Sequence, residues 1–225
     1  KLLTEEDWQQ IIEARDVEND PLFGERVRQE YGLATPVFID LRHKLYDDLT
    51  ALAALGQALH ERLTSIIAAE GGSDSKPQQV IGIPDTATPL ALATALASRA
   101  RSSPLVYGQM RKKPAAYPGG RSGVSAYMGS IQETREITLV DDVMASGRSK
   151  VWAIEELKKD GLEVKRVLVV VDREQGGEKV LEKIGCPVYG LYRISELIDY
   201  FASRGKLDPD TARAALEHIR SKRFG

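Results

Sequence analysis

Two runs constrain this chain more than any other feature: Ile137-Thr-Leu-Val140 and Val167-Leu-Val-Val-Val171, both nearly continuous in apolar residues and rich in β-branched side chains. A strand with one face in water alternates apolar and polar residues, and these do not, so both faces must be covered, as in the centre of a parallel sheet. From residue 78 onward the pattern around them alternates. Strands are predicted at Gln79–Ile83, Leu105–Tyr107, Ile137–Val140, Val167–Val171 and Val188–Leu191, with helices at Pro89–Ala100, Ser149–Lys159 and Glu178–Ile184 between them. That alternation predicts an α/β fold with a central, mostly parallel sheet flanked by crossover helices.

The flanking segments read differently. Thr4–Arg15 is predicted as a helix with Trp8, Ile11 and Ile12 on one face, followed by a short helical piece near Phe23–Tyr31. Residues 1–35 are therefore expected to form a small N-terminal hood, and residues 36–225 the core, within a single domain of 225 residues. The core opens with strand character at Pro36–Asp40 and a long helix over Asp48–Ala69. Residues 113–134 carry four glycines and two prolines with almost no apolar periodicity, which predicts a mobile flap between two strands. Ser195–Arg220 reads as two helices separated near Gly205–Pro209.

Charge excludes several partners. Lys and Arg number 31 against 33 Asp and Glu, so no bulk field attracts nucleic acid or a membrane. No stretch reaches the roughly 20 apolar residues that cross a bilayer, and residues 1–10 lack a signal-peptide core. The single cysteine, Cys186, permits no internal disulfide and reads as a small buried apolar residue; a reducing, cytoplasmic setting is expected. The chain begins at Lys1 rather than Met, in keeping with either a trimmed chain or a piece of a longer polypeptide. His43, His60 and His218 lack partners at metal-ligand spacing, so no zinc site is expected; His60 reads as structural, and Trp152, Ile154 and Leu157 as core.

The strongest local signal is Ile137-Thr-Leu-Val-Asp-Asp-Val-Met-Ala-Ser-Gly-Arg-Ser149: a buried strand, two carboxylates at its end, a short loop with a glycine, then a helix. Ligands in open α/β sheets bind beyond the carboxyl ends of strands. The first amides of the following helix offer an anion site, and Gly147 lets the backbone approach a phosphate closely. Two carboxylates beside a phosphate would repel it unless they served another part of the ligand. A ribose 5-phosphate resolves the conflict, its phosphate on the amides of Val143, Met144, Ala145, Ser146, Gly147, Arg148 and Ser149, its 2- and 3-hydroxyls on Asp141 and Asp142. Negative charge beneath the ring would also favour the cationic centre that forms at C1 as a leaving group departs. A Walker B pair is the main rival, but no G-x-x-x-x-G-K-[ST] occurs in the chain. A phosphoaspartate receiver site and a simple helix cap are the others.

Asp141-Asp-Val-Met-Ala-Ser-Gly147 is similar to the phosphoribosyl diphosphate motif of type I phosphoribosyltransferases. Three further segments resemble the orotate-specific branch: Pro36-Val-Phe-Ile-Asp-Leu-Arg42, Gly82-Ile-Pro-Asp-Thr-Ala-Thr-Pro-Leu-Ala91, and Asp172-Arg-Glu-Gln-Gly-Gly177, the last a full match to D-R-E-Q-G-G. The resemblance implies an orotate phosphoribosyltransferase that makes orotidine 5'-monophosphate and diphosphate from orotate and phosphoribosyl diphosphate. It implies Mg2+ carried on the donor's diphosphate with no metal held by protein side chains alone, and a homodimer.

Residue by residue, the resemblance implies that Arg173 pairs with the orotate carboxylate, a task that suits a permanently charged fork. Val37 and Phe38 would border the base. Asp85, Thr86 and Ala87 would hold the diphosphate, with Arg111 and Lys112 opening the flap onto it and Lys113 a further catalytic candidate. Three departures stand out: the flap lysine of the family is Ala115, with Tyr117 and Pro118 following, its base-contacting lysine is Glu30, and the threonine of its donor motif is Ala145. They leave two alternatives to orotate turnover: a divergent relative that binds ribose phosphates without it, and a transferase for another base.

Overall fold

The computed structural model describes residues 39, 41, 47–71, 77–100, 104–111, 127–129 and 135–221. The predicted helices near 4–15 and 23–31, the strand at 36–40 and the hood boundary at 35/36 lie wholly or almost wholly outside these residues. The described residues fall into two compact units, one built from residues 41–193 and one that includes residues 194–221.

In the first unit, helix α1 (Leu49–Ala69) is followed by β1 (Gln78–Gly82), α2 (Ala87–Ala97), β2 (Val106–Met110), β3 (Tyr127–Met128), β4 (Glu136–Met144), α3 (Arg148–Lys159), β5 (Val164–Asp172), α4 (Gly177–Glu182) and β6 (Val188–Arg193). The six strands form one sheet in the order β3-β2-β1-β4-β5-β6. All pairings are parallel except that of β3, which runs antiparallel to β2 at the edge. β4 and β5 lie near the middle, as their unbroken apolar runs predict.

Period-two alternation splits the strands between two cores. Ile81, Leu139, Val167 and Val169 pack with Ala153 and Leu157 of α3 and Leu181 of α4. Val80, Val140, Leu168 and Val170, also buried, are left for the opposite face, where α1 and α2 supply Leu59, Leu63, Leu90 and Ala91. These two helices approach closely because Gly56 has no side chain: a Cβ there would lie 2.6 Å from the backbone carbon of Ala93. Asp48 caps α1, its carboxylate accepting from the amide of Ala51 at 2.9 Å.

Two expectations need correction. β4, predicted to stop at Val140, continues to Met144 and carries both aspartates within the strand. The predicted flap of 113–134 is not wholly irregular, because Tyr127–Met128 adds the edge strand β3. Gly108 and Gly129 make room for the Tyr127 ring, which would meet a Cβ at Gly108 at 2.6 Å, and the Tyr127 hydroxyl accepts from the side-chain Nε2 of Gln79.

At the amino edge of the sheet Arg166 is almost wholly buried and bridges Glu70 at 2.7 Å and Glu136 at 2.9 Å, with Gln78 and Thr138 completing its guanidinium contacts. An open cavity of about 350 Å³ lies beside it, lined by Arg62, Ser65, Ile66, Ala69, Glu70 and Tyr189. The second unit contributes α5 (Ile194–Ser203) and α6 (Pro209–Ser221), amphipathic helices that bury Ile194 and Ile198, and Ala212, Ala215 and Ile219. Among the described residues no helix is long and apolar enough to cross a membrane.

Candidate active site

The acid pair sits near the carboxyl end of β4 and is asymmetric. Asp141 is 6% exposed, and both of its oxygens are engaged: Oδ1 accepts from the amide of Asp142 at 2.9 Å, and Oδ2 lies 2.6 Å from Nζ of Lys150 and 3.5 Å from the hydroxyl of Ser149. Asp142 is only half-buried, and its Oδ1 accepts from the amide of Val143 at 2.8 Å. Burial, then the charge of Asp141 and a hydrogen bond with it, push the Asp142 carboxyl up to about 6, while Lys150 and the Val143 amide pull the other way. A group poised there changes charge in the range where enzymes work.

Lys150 was not among the residues the sequence singled out. It is 3% exposed, donates to the carbonyl of Val143 and lies 3.3 Å from the Ser149 hydroxyl, so it ties the first turn of α3 back to the end of β4. The signal was present in the spacing: Lys150, Ala153 and Leu157 fall on one helical face, and all three are buried.

The turn between strand and helix is shaped by a second motif. Gly147 adopts a left-handed φ of 80° and precedes α3 with no side-chain cap, which leaves the helix start to backbone donors. Gly177 packs on this turn so closely that a Cβ would collide with the carbonyl of Ala145 and lie 2.7 Å from Sδ of Met144. Arg173 donates its amide to the carbonyl of Met144 at 2.9 Å, and Glu174, at φ 54°, donates its own to the Asp172 carboxylate at 2.8 Å. Two segments about thirty residues apart in sequence thus meet because Met144 and Asp172 are register partners in β4 and β5.

The other candidates follow from parallel topology. Ile83 donates to the carbonyl of Val140 at 2.9 Å and so brings the turn after β1 beside the acid-bearing strand. A Cβ on Gly82 would lie 2.7 Å from Cα of Thr88, which explains the glycine before this turn. Thr86 and Ala87 are buried at the start of α2, Asp85 is exposed, and the Pro84–Asp85 peptide is cis. Arg111, half-buried, follows β2 at the same edge. Asp85–Ala87, Arg111, Asp141–Ser149 and Arg173 therefore all lie at the carboxyl edge of the parallel strands. Val37, Phe38, Lys112 and Lys113 lie outside the described residues, as do Glu30, Ala115 and Tyr117. Among the described residues no three His, Cys, Asp or Glu side chains gather to hold a metal ion.

The fold that carries this acid pair and uncapped glycine turn is that of the type I phosphoribosyltransferases, whose solved structures it resembles. The solved structures it resembles include the UMP synthase of Leishmania donovani (TM-score 0.64, 24% identity, covering 84% of this chain and 36% of that one). They also include an orotate phosphoribosyltransferase from Mycobacterium tuberculosis in complex with 5-phospho-α-D-ribosyl 1-diphosphate (TM-score 0.53, 25% identity, 77% and 87%). No family model matches the chain. Among curated proteins, the orotate phosphoribosyltransferase of Aquifex aeolicus is 28% identical over 88% of this chain and 99% of its own length. That of Rhodopseudomonas palustris strain TIE-1 is 33% identical over 67% of this chain and 78% of its own. The chain belongs to the orotate phosphoribosyltransferase family.

Proposed function

We propose that this chain transfers the 5-phosphoribosyl group of phosphoribosyl diphosphate to orotate, forming orotidine 5'-monophosphate and releasing diphosphate. The observation that carries the reading is the union of the acid-pair turn with the D-R-E-Q-G-G loop through Gly177 and Arg173. The C1–oxygen bond breaks with its electron pair leaving on diphosphate, a bond from the base nitrogen to C1 forms, and the proton of that nitrogen passes to diphosphate or solvent.

In this reading the amides of the turn at Ala145–Ser149 hold the 5-phosphate, since Val143 and Met144 belong to β4 and the Val143 amide already donates to Asp142, and Asp142, the more exposed acid, accepts from the ribose hydroxyls. Its charge favours the cationic sugar of the transition state, an interaction stronger there than in the ground state. The turn Asp85–Ala87 and the cation Arg111 take the diphosphate, with Lys112 and Lys113 assigned to the same task by resemblance. Arg173 receives the orotate carboxylate, and Val37 and Phe38 border the base. Lys150 and the Asp142 amide already occupy the inner acid, so the Mg2+ that the family implies would be held by diphosphate oxygens and water, where it would neutralise the leaving group. A homodimer, a cytoplasmic setting in keeping with the buried Cys186, and an N-terminal hood over residues 1–35 complete the proposal.

The test is incubation with Mg2+, donor and orotate while the orotate absorbance is followed. Loss of absorbance that needs both substrates is expected. Stabilisation by the donor with no orotate consumed would instead leave a ribose phosphate binder or a transferase for another base.

A further inference from the structure

Lys150 is a buried cation for which the reaction as written has no use. It stands in the first turn of α3, on the stripe that Ala153 and Leu157 bury, and its ammonium reaches Oδ2 of Asp141 at 2.6 Å, the carbonyl of Val143 and the Ser149 hydroxyl. A lysine is seldom so enclosed unless paired, and this one is paired with the carboxylate beside the group that meets the sugar.

We propose that Lys150 is a positioning residue for phosphoribosyl transfer: it fixes Asp141 in a single orientation beneath the turn and leaves Asp142 as the carboxyl of the pair presented to the donor. The inference rests on the function proposed above and deepens it. Geometry supplies the reason. With Oδ1 of Asp141 on the Asp142 amide and Oδ2 on Lys150, neither inner oxygen is left to turn toward a ligand. The same ammonium holds the carbonyl of Val143, two residues past Asp141, and so fixes the backbone that carries Asp142.

The charges that face Asp142 make the idea measurable. On its own strand it faces Asp141, and from α3 it faces Lys150. β5 places Val169 opposite Asp141 and Val171 opposite Val143, and β1 places Gly82 opposite Val140, so neither neighbouring strand adds a titratable side chain at these positions. Asp142 titrates at about 6 with Lys150 as the opposing cation. Lys150 touches Asp141 rather than Asp142, so loss of that cation raises the apparent titration of the acid pair as a whole, by about one to two pH units.

The experiment follows the carboxyl carbons of the aspartates by NMR titration in the full chain, and kcat/KM for the donor against pH, for the unaltered protein, Lys150→Met, Lys150→Gln and Lys150→Arg. Methionine and glutamine remove the charge while glutamine keeps a hydrogen-bond donor, so either neutral variant that folds suffices. The expected result is an upward move of the apparent titration of the acid pair in the neutral variants and none in Lys150→Arg. The acid limb of kcat/KM should move with it, with a loss of about two- to ten-fold at pH 7 that recovers by about pH 9. An unmoved titration and limb, with activity reduced equally at every pH, would mark Lys150 as structural only and overturn the proposal. The titration needs no substrate, so a moved titration in a protein that consumes no orotate would uphold the Lys150 assignment while removing the orotate reading.

Discussion

Gly177 lies against the carbonyl oxygen of Ala145 with no space for a side chain between them, so the loop that carries Arg173 and the turn that would hold a phosphate are in direct backbone contact. The glycine is demanded by that contact rather than by its own turn. Gly177→Ala should therefore push the 145–147 turn out of place. A loss of about 1–3 kcal/mol of stability is expected for such overpacking, and with it a rise of about tenfold or more in KM for the donor. Thermal melts and initial-rate kinetics on the purified variant would check both.

Asp142 makes a prediction about stability as well as rate. Its folded titration near 6 lies above the ordinary 3.8, so the fold favours the protonated acid. That contribution is complete below about pH 4 and is lost as pH rises through 6. Asp142→Asn, which keeps the oxygen that accepts from Val143, should be more stable than the unaltered protein at pH 7 by about 1–3 kcal/mol, with the two converging toward pH 4. Turnover should fall by about 10²-fold or more because the charge beneath the sugar is gone. Denaturant melts at several pH values alongside the rate assay separate the two effects.

Arg173 is held at its backbone by the carbonyl of Met144, which fixes where its side chain starts beside the acid-pair turn. Arg173→Lys keeps the charge and loses the fork. KM for orotate should rise by about 10- to 100-fold, while donor-induced thermal stabilisation stays within a degree or so of the unaltered protein.

At the opposite edge of the sheet, Arg166 ties the end of α1 to β4 through Glu70 and Glu136. Arg166→Met should cost about 2–4 kcal/mol, since it leaves two partly buried carboxylates without their cation. KM for both substrates should be unchanged in the fraction that folds. Urea titration and kinetics on the same preparation test this.

Much of this architecture was legible in the sequence, and the gaps have physical causes. Ile137–Val140 and Val167–Val171 announced the centre of the sheet because nothing but burial on both faces explains such runs. The continuation of β4 past Val140 is hidden because aspartate disfavours strands, yet Asp141 and Val143 pair with Val169 and Val171, and neighbouring strands outweigh that propensity. β3 escaped because two residues, Tyr127 and Met128, cannot display a period. Its strand state is dictated by β2 beside it and by the two glycines that receive the tyrosine ring. The acid pair, the glycine turn and the D-R-E-Q-G-G loop could be read as motifs, whereas their mutual contact depended on the register of β4 against β5. Lys150 is hard to read between Arg148-Ser149 and Val151, where a basic residue at a helix start reads as solvated; only its phase with Ala153 and Leu157 shows that it points inward.

The most direct measurement is a crystal structure of the protein with orotidine 5'-monophosphate bound. The 5-phosphate should rest on the amides of residues 145–148, the ribose hydroxyls on Asp142 and the base carboxylate on Arg173. A nucleotide seated at another edge of the sheet, or a turn beside Asp142 that stays empty at saturating nucleotide, would contradict the assignment.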